Sequence, residues 1–259
     1  MPKQSTPLTP NPHLYQAPTD ALQNRIIVIT GAGDGIGRCA AITFAAHGAT
    51  VILAGKTIEK LESVYDEIEK AGYPQAAIYP IHLGGAVMKD YRDMHDTLAR
   101  EFGVIDGLLH NASILGDRKP IAQTDSDEWQ EVMQVNVTAP FMMTQALLPL
   151  LEQSEDASII FTSSSVGRAG RAYWGPYAVS KFATEGLMQT LADELANTSN
   201  IRVNAINPGA TNTAMRRTAY PAEIPTVNPS PNQIMPLYLY LMGADSKTVN
   251  GQSIDAQPK

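Results

Sequence analysis

Six short apolar runs alternate with helix-length segments along the chain, and this alternation most constrains its fold. The runs are rich in Val, Ile, Leu and Ala without strict alternation of polar residues, which is typical of strands buried on both faces. They occupy residues 25–30, 49–54, 76–81, 105–110, 158–162 and 201–206. Helical stretches are predicted from the glycines after residue 30 to residue 47, and over residues 57–70, 87–102, 127–152 and 175–197. Repeated strand–helix–strand units predict an α/β fold, with a parallel sheet covered by helices on both faces and right-handed crossovers.

The chain length suits one domain of this class. It has 259 residues, and α/β folds often reach this size as a single domain. We predict one domain over residues 25–259. The proline-rich segment 1–24 is expected to be a flexible arm or an extended strap over the surface. Residues 210–232 contain four prolines and form the one irregular stretch, which we interpret as a substrate loop.

Charge and hydropathy exclude several kinds of partner. The formal net charge is −7 and no basic run is present, so we expect no nucleic-acid partner. No apolar segment reaches the roughly 18 to 20 residues of a membrane span, and the N-terminus lacks the pattern of a secretory signal. The single cysteine, Cys39, fits a reducing compartment. These features predict a cytoplasmic protein without membrane insertion.

A glycine-rich turn, residues 30–37, stands between the first predicted strand and the first predicted helix. Glycines permit a tight turn and a close approach of ligand to backbone. The helix N-terminus adds unpaired N–H groups and a partial positive charge. Glycine strings also make plain turns, but this one has the strand–turn–helix context that a dinucleotide site requires. We therefore predict that a dinucleotide binds at Gly31, Gly33, Asp34, Gly35, Ile36 and Gly37.

The end of the second predicted strand indicates which dinucleotide binds. An acid at this place binds the adenosine ribose of NAD and repels the extra phosphate of NADP. This chain has Gly55 and Lys56 there, a pair that favours NADP. Two observations weigh the other way: Asp34 lies in the glycine turn, and Lys56 can be read as an ordinary surface lysine. We predict NADP(H) as cofactor in preference to NAD(H).

Tyr177 and Lys181 stand four residues apart at the start of a predicted helix. This spacing puts both side chains on one face, and a nearby ammonium lowers the pKa of a phenol from its usual value of about 10. Ser164 follows the fifth predicted strand, at the sheet edge where α/β folds bind ligands. Ser165 is an alternative, because neighbouring strand residues face opposite sides. These side chains predict a proton-transfer site.

The motifs resemble those of the short-chain dehydrogenase/reductase family in order and spacing. They are the glycine turn, Asn111-Ala112, Asn136, Ser164, Tyr177, Lys181 and Pro208-Gly209, and the resemblance covers residues 25–257. Residues 161–185 and 255–258 are most similar to the YciK-type branch, whose substrates are ill defined. The resemblance implies a Rossmann-type, doubly wound sheet of about seven parallel strands in a three-layer α/β/α sandwich. It also implies hydride transfer between a nicotinamide and a carbonyl or alcohol carbon, and a homodimer or homotetramer.

The resemblance assigns roles by position. Tyr177 would be the general acid in reduction and the base in oxidation, while Lys181 would lower its pKa and hold the nicotinamide ribose. Ser164 would polarise the substrate carbonyl, and Asn136 would hold a water of a proton relay that runs through Lys181. The other implied cofactor contacts are His82, Leu83, Asn111 and Ala112 on the adenosine side and Pro208, Gly209, Thr211 and Thr213 near the nicotinamide.

Three places depart from the family pattern. Ser113 replaces a glycine, His82 replaces an aspartate, and residues 256–257 replace a glycine pair. The first two put cofactor binding in question. His82 and His110 can be read as metal ligands, but no carboxylate or cysteine accompanies them at ligand spacing. We therefore predict no metal site and expect structural or adenine-side roles for both histidines.

Together the motifs predict an enzyme that transfers a hydride between NADP(H) and a small-molecule carbonyl or alcohol. The alternative is an NADP-binding redox sensor or regulator with this fold and little turnover. The complete set of four proton-transfer residues weighs against that alternative. Arg168 and Arg171 lie between Ser164 and Tyr177. They are candidates for contact with an anionic substrate, with solvated arginines as the alternative.

Overall fold

In the computed structural model, which describes residues 13–257, seven strands form one sheet between two layers of helices. The strands are β1 (Ile26–Thr30), β2 (Thr50–Gly55), β3 (Ala77–Pro80), β4 (Gly107–His110), β5 (Ala157–Thr162), β6 (Ile201–Asn207) and β7 (Ser253–Asp255). The helices are α1 (Gly35–Ala46), α2 (Ile58–Lys70), α3 (Met88–Glu101), α4 (Ser126–Met133), α5 (Ala139–Leu151), α6 (Gly175–Leu195), α7 (Ala214–Ala219) and α8 (Met235–Met242).

All neighbouring strands are parallel, and their order is β3-β2-β1-β4-β5-β6-β7. The strand order reverses between β1 and β4, which makes this pair the switch point of the sheet. Open parallel sheets bind ligands in the crevice at the carboxyl ends of such a pair. The glycine turn follows β1 and Asn111 follows β4, so both lie at the switch point. This topology confirms the predicted Rossmann-type α/β fold.

The strands carry apolar side chains on both faces, so each face of the sheet is covered by its own layer of helices. In β1, Ile27 and Ile29 pack into the core formed with α1, α2 and α8, whereas Val28 packs into the core formed with α3, α5 and α6. Side chains alternate between the faces of a strand. A continuous apolar run therefore supplies both cores at once, and burial of these side chains stabilises the layered fold.

The helix predicted over residues 127–152 is interrupted in the structure. A π-helical turn, Gln134–Thr138, separates α4 from α5. Asn136 lies in this turn and is buried; its amide accepts from the Ile114 N–H and donates to the Ile114 carbonyl, each at 2.9 Å. Such turns often mark functional sites. Hydrophobic periodicity does not reveal a single widened turn inside a helical segment.

The described part of the N-terminal segment, residues 13–24, packs against the domain. Residues 1–12 lie outside the described residues, but Leu22 is fully buried and Tyr15 is nearly so. Tyr15 donates a hydrogen bond to Asp245 at 2.8 Å, and its ring meets that of Tyr240 edge-on. Because these two side chains gain burial, residues 13–24 form a strap on the domain.

The irregular region over residues 210–232 contains the short helix α7. The Thr213 hydroxyl caps this helix by accepting from the Arg216 N–H at 3.2 Å. The Arg216 guanidinium makes two hydrogen bonds to the Glu223 carboxylate, at 2.7 and 2.6 Å. These contacts hold α7 against the loop that follows it, so the predicted substrate loop has internal order.

Candidate active site

A cleft of about 440 Å³ runs along the carboxyl edge of the sheet and passes the switch point. Most of the residues predicted for the cofactor and proton-transfer sites line it. They are Gly31, Gly33, Asp34, Gly35, Ile36, Lys56, His82, Leu83, Asn111, Ala112, Ser164, Tyr177, Lys181, Pro208, Gly209, Thr211 and Thr213. Gly37 and Asn136 are not among the lining residues. The structure therefore brings together residues that are up to 182 positions apart in the chain.

The glycine turn has no room for side chains at two of its positions. Gly31 has φ = +66°, in the left-handed region that favours glycine, and a Cβ there would lie 3.0 Å from the Ala112 Cα. A Cβ on Gly37 would lie 2.3 Å from the Gly31 carbonyl oxygen, a backbone clash. Gly37 thus allows α1 to pack against the turn, although it lies behind the cleft. A turn this close to the helix N-terminus fits the pyrophosphate of a dinucleotide.

Thr30 holds the two strand ends of the switch point together. Its hydroxyl accepts from the backbone N–H groups of Asn111 and Ala112, both at 3.0 Å, and donates to the Leu109 carbonyl. The Asn111 side chain donates to the Thr30 carbonyl at 3.3 Å. No local sequence pattern indicates this role of Thr30, because its partners are about 80 residues away along the chain.

Two lysines line the cleft beside the glycine turn and the end of β2. They are Lys56 and Lys60, and the Lys60 ammonium lies 2.6 Å from the Asp34 carboxylate. The hydrogen bond from Lys60 is the main reason that the pKa of Asp34 is lowered. The other Asp34 oxygen caps α1 through the Gly35 N–H at 2.7 Å. Asp34, the acid that favoured NAD in the sequence, is therefore already paired with a lysine. Lys60 also lines the cleft, although no local sequence pattern indicates this role.

Tyr177 lies on α6 in the middle of the cleft and is 8% exposed. Burial raises the pKa of its phenol to about 12, while the neighbouring hydroxyls of Ser164 and Ser113 act in the lowering direction. The lowering of this pKa by Lys181 that the resemblance implies stays a prediction. The Lys181 ammonium lies 5.4 Å from the Tyr177 ring centroid and donates to the Thr162 carbonyl at 2.8 Å.

Lys181 is also buried, and burial lowers its pKa to about 8 against an opposing effect of Glu185. Glu185 lies one helical turn further along α6 and is itself buried. Its carboxylate accepts hydrogen bonds from Ser163 at 2.5 Å and from Ser253 at 2.7 Å. This buried carboxylate supports the charged form of the lysine, and sequence analysis did not single it out.

Of the two candidate serines, Ser164 lines the cleft and Ser165 is exposed at the start of a 3₁₀ turn, Ser165–Gly167. Asn136 lies behind the cleft. Its side-chain N–H groups donate to the Ile114 carbonyl and to the Ser180 hydroxyl at 3.0 Å. Since both of these donors are occupied, Asn136 can hold a water only through its oxygen atoms.

The two histidines have different environments. His82 is exposed and lines the cleft beside Leu83. His110 is buried, shares a 2.8 Å hydrogen bond with the Thr144 hydroxyl, and stacks on Phe161. Burial lowers the pKa of His110 to about 3, so its ring is neutral. These contacts favour the structural role that the sequence predicted for His110 over an adenine-side role.

Near Tyr177 and Tyr220 the cleft is also lined by residues that the sequence did not single out, including Trp174 and Arg216. Arg168 and Arg171, proposed as anion contacts, do not line the cleft. Arg168 instead binds the Asp255 carboxylate at 2.6 Å. Arg171 donates to the Tyr220 hydroxyl at 3.2 Å, which leaves both arginines outside the pocket.

Comparison with known proteins identifies the family. Residues 25–224 match the family model described as short chain dehydrogenase. The chain belongs to this family. The Escherichia coli K12 protein named Uncharacterized oxidoreductase YciK is 52% identical over 244 residues, which cover 94% of this chain and 96% of that protein. The resemblance to the YciK-type branch is thereby confirmed, and this short-chain dehydrogenase is an oxidoreductase.

Two solved structures agree with the assignment. A short chain dehydrogenase from Shigella flexneri 2a, complexed with NADP, is 51% identical with a TM-score of 0.91, and the match covers 93% of this chain and all of that one. One from Escherichia coli CFT073, complexed with NADPH, is 52% identical with a TM-score of 0.90, over 93% and 100% of the two chains. The fold of this short-chain dehydrogenase is therefore shared along nearly its whole length.

Proposed function

We propose that this short-chain dehydrogenase transfers a hydride between NADP(H) and the carbonyl or alcohol carbon of a small-molecule substrate. The observation that carries the proposal is that Ser164, Tyr177 and Lys181 line the same cleft as the glycine turn. A redox sensor without turnover needs the glycine turn but has no use for a buried phenol beside a lysine and a serine. This combination of residues in one cleft therefore favours an enzyme over a redox sensor.

Tyr177 is the proposed acid in reduction. NADPH, when bound, supplies the hydride. The high pKa of the buried phenol keeps it protonated at neutral pH, so it can give its proton to the substrate oxygen. Ser164 donates a hydrogen bond to the same oxygen and favours the developing negative charge. In oxidation the phenol must first lose its proton, and the Lys181 ammonium supports the phenolate.

In this proposal Asn136 lies behind the cleft, where it supports the loop after β4 and holds a water of the proton relay. Its amide holds the Ile114 backbone, just beyond Ser113, and its oxygen atoms are available to a water of the proton relay through Lys181. The π-helical turn around Asn136 interrupts the regular hydrogen bonding of α4 and α5. It thereby frees backbone polar groups for such a water.

NADP(H) is the proposed cofactor in preference to NAD(H). Lys56 and Lys60 supply the cations for its extra phosphate, and Asp34 is already paired. The NADP and NADPH complexes of two similar proteins support this choice. In the proposal the glycine turn holds the pyrophosphate. The adenosine side is contacted by His82, Leu83, Asn111 and Ala112, and the nicotinamide side by Lys181, Pro208, Gly209, Thr211 and Thr213.

The proposed place of this reaction is the cytoplasm. The single cysteine, Cys39, suits a reducing compartment. Among the helices of residues 13–257, none combines the length and the apolar character needed to cross a membrane. We also propose that residues 210–232 contribute to substrate binding, since Ala214, Met215 and Ala219 line the cleft.

A Tyr177→Phe variant tests the proposal. We expect NADPH affinity in calorimetry to stay within about threefold, while NADPH oxidation at 340 nm with a panel of carbonyl compounds falls by about 100-fold or more. Tyr173→Phe is the matched control, because Tyr173 is an exposed residue outside the cleft lining. Wild-type protein that binds NADPH but oxidises it with no member of the panel would support the redox-sensor alternative instead.

A further inference from the structure

Beyond the proton-transfer residues, the cleft is walled by apolar side chains. Leu115, Trp174, Met215 and Ala219 line it there. They belong to a small apolar cluster around Tyr177 that is separate from the two cores under the helix layers. The Trp174 and Tyr177 ring centroids are 5.8 Å apart. A substrate whose reacting oxygen meets the Tyr177 phenol must therefore place its body against an aliphatic and aromatic wall.

The charged residues that line the cleft near Tyr177 and Tyr220 are Lys181 and Arg216. The Lys181 ammonium is bound to the Thr162 carbonyl. The Arg216 guanidinium is bound twice by the Glu223 carboxylate and lies 3.8 Å from the Tyr220 ring centroid. Glu223 already compensates the charge of Arg216, so an anionic group entering here finds no free countercharge on this arginine, and burying a charge without a partner is unfavourable.

Arg118 supports the outer wall of the cleft and does not line it. Its guanidinium lies 5.0 Å from the Trp174 ring centroid and 4.7 Å from that of Tyr220, and it donates to the Ala219 carbonyl. The contacts join the loop after β4, the loop before α6, and α7. They hold the Trp174 ring in one orientation, and stacking of this kind is favourable.

We propose that the substrate is an uncharged ketone or aldehyde with a ring-bearing apolar body, and that Trp174 determines this specificity. The proposal rests on the hydride transfer proposed above. Contact of a ring with the Trp174 wall removes apolar surface from water. A carboxylate or phosphate at the same place meets an arginine whose charge Glu223 already compensates. The apolar wall and the charge distribution thus select the same class of substrate.

Two ketones that differ in charge test the inference: 4-tert-butylcyclohexanone and 4-oxocyclohexanecarboxylate. With NADPH oxidation at 340 nm as readout, we expect kcat/KM to be about tenfold or more higher for the uncharged ketone. Trp174→Ala should lower kcat/KM for that ketone about tenfold, mainly through KM, and Trp174→Phe should restore most of it. Trp129→Phe is the control, because Trp129 is the second tryptophan and does not line the cleft.

Binding without turnover provides an independent readout. In the Trp129→Phe protein, Trp174 is the sole tryptophan. Its fluorescence in the NADP-saturated protein should change on titration with the uncharged ketone and not with the carboxylate. Equal or tighter binding of the carboxylate overturns the inference, as does the failure of NADPH-loaded protein to bind or reduce either ketone. Absence of NADPH binding overturns the proposed function itself.

Discussion

Beside the glycine turn, one carboxylate and two ammonium groups line the cleft. Asp34 divides its two oxygens between the Gly35 N–H and the Lys60 ammonium. Its charge is therefore compensated inside the protein, and Lys56 adds a second cation to the same end of the cleft. Three charges that sum to +1 suit a dinucleotide with an additional phosphate, because charge-assisted hydrogen bonds to phosphate are strong.

Replacement of Lys56 tests this arrangement. We expect Lys56→Ala to weaken NADPH binding about tenfold, equivalent to about 1.4 kcal/mol, and to leave NADH binding unchanged. The reason is that only NADPH carries the phosphate that this cation would contact. Calorimetric titrations with both cofactors measure the two affinities, with Lys89→Ala on the exposed surface of α3 as control. An equal loss for NADPH and NADH would show that Lys56 does not distinguish them.

His110 makes the stability of the fold depend on pH. Burial lowers the pKa of its imidazole to about 3, whereas an unfolded histidine titrates near 6.5. Between these values the unfolded chain binds more protons than the folded chain, so stability falls as the pH drops below about 6.5. From pH 7 to pH 5 the loss due to this residue is expected to be about 2 kcal/mol.

Urea unfolding at pH 7 and pH 5 measures that loss. In His110→Gln the decrease in unfolding free energy between the two pH values should be smaller by about 2 kcal/mol. If His110→Gln shows the same pH dependence as the unsubstituted protein, the buried imidazole does not control it.

Among the elements, α1 and the glycine turn before it depend on each other most closely. The helix begins directly against the turn, so Gly37 leaves no space for a Cβ beside the Gly31 carbonyl or the Asn111 amide, at 2.3 and 2.6 Å. Gly186 in the middle of α6 is the opposite case, because no atom lies within 4 Å of a Cβ built there. Both residues are helical glycines, yet only one of them is required by packing.

Alanine at these two positions should have opposite effects. Gly37→Ala is expected to destabilise the protein by about 1–3 kcal/mol through overpacking and to weaken NADPH binding by displacing the turn. Gly186→Ala, made in the Phe182→Glu background so that the subunit contacts proposed below are absent, is expected to stabilise the chain by up to about 1 kcal/mol, because alanine favours the helix. Thermal unfolding and NADPH calorimetry on both variants test this pair. Similar effects of the two changes would contradict the packing argument.

At the scale of the whole molecule, the helix layer that contains α5 and α6 leaves large apolar side chains exposed. Phe141 is 47% exposed, Phe182 46% and Val179 39%. Exposed apolar surface of this kind is common where subunits meet. We therefore propose that this layer forms the interface of a homodimer or homotetramer, in agreement with the oligomer expected from the sequence.

Sedimentation at micromolar concentration tests the interface. Phe182→Glu should shift the protein towards the mass of one chain, because a buried carboxylate without a partner disfavours association. Ile58→Glu, an equally exposed position on α2 in the other helix layer, should leave the mass unchanged. A monomeric unsubstituted protein, or an unchanged mass for Phe182→Glu, would refute this assignment.

The features that local sequence patterns determine were predicted well. Apolar runs revealed six of the seven strands, and the resemblance implied the seventh, a strand of three residues without such a run. The glycine turn and the spacing of Tyr177 and Lys181 located the centre of the candidate site. These predictions succeeded because strand burial, turn geometry and helix periodicity are properties of neighbouring residues.

Only the tertiary structure decided the electrostatics and the shape of the site. Asp34 is paired because α2 brings Lys60 to it, and the pKa of the Tyr177 phenol is raised above its usual value because the fold buries it. Likewise, the Trp174 wall exists because Arg118 and Ala219 reach it from other parts of the chain. The sequence by itself predicted the α/β fold and the residues proposed for the reaction centre. Burial and long-range contacts, which no local pattern encodes, decided their charges and the apolar space in front of them.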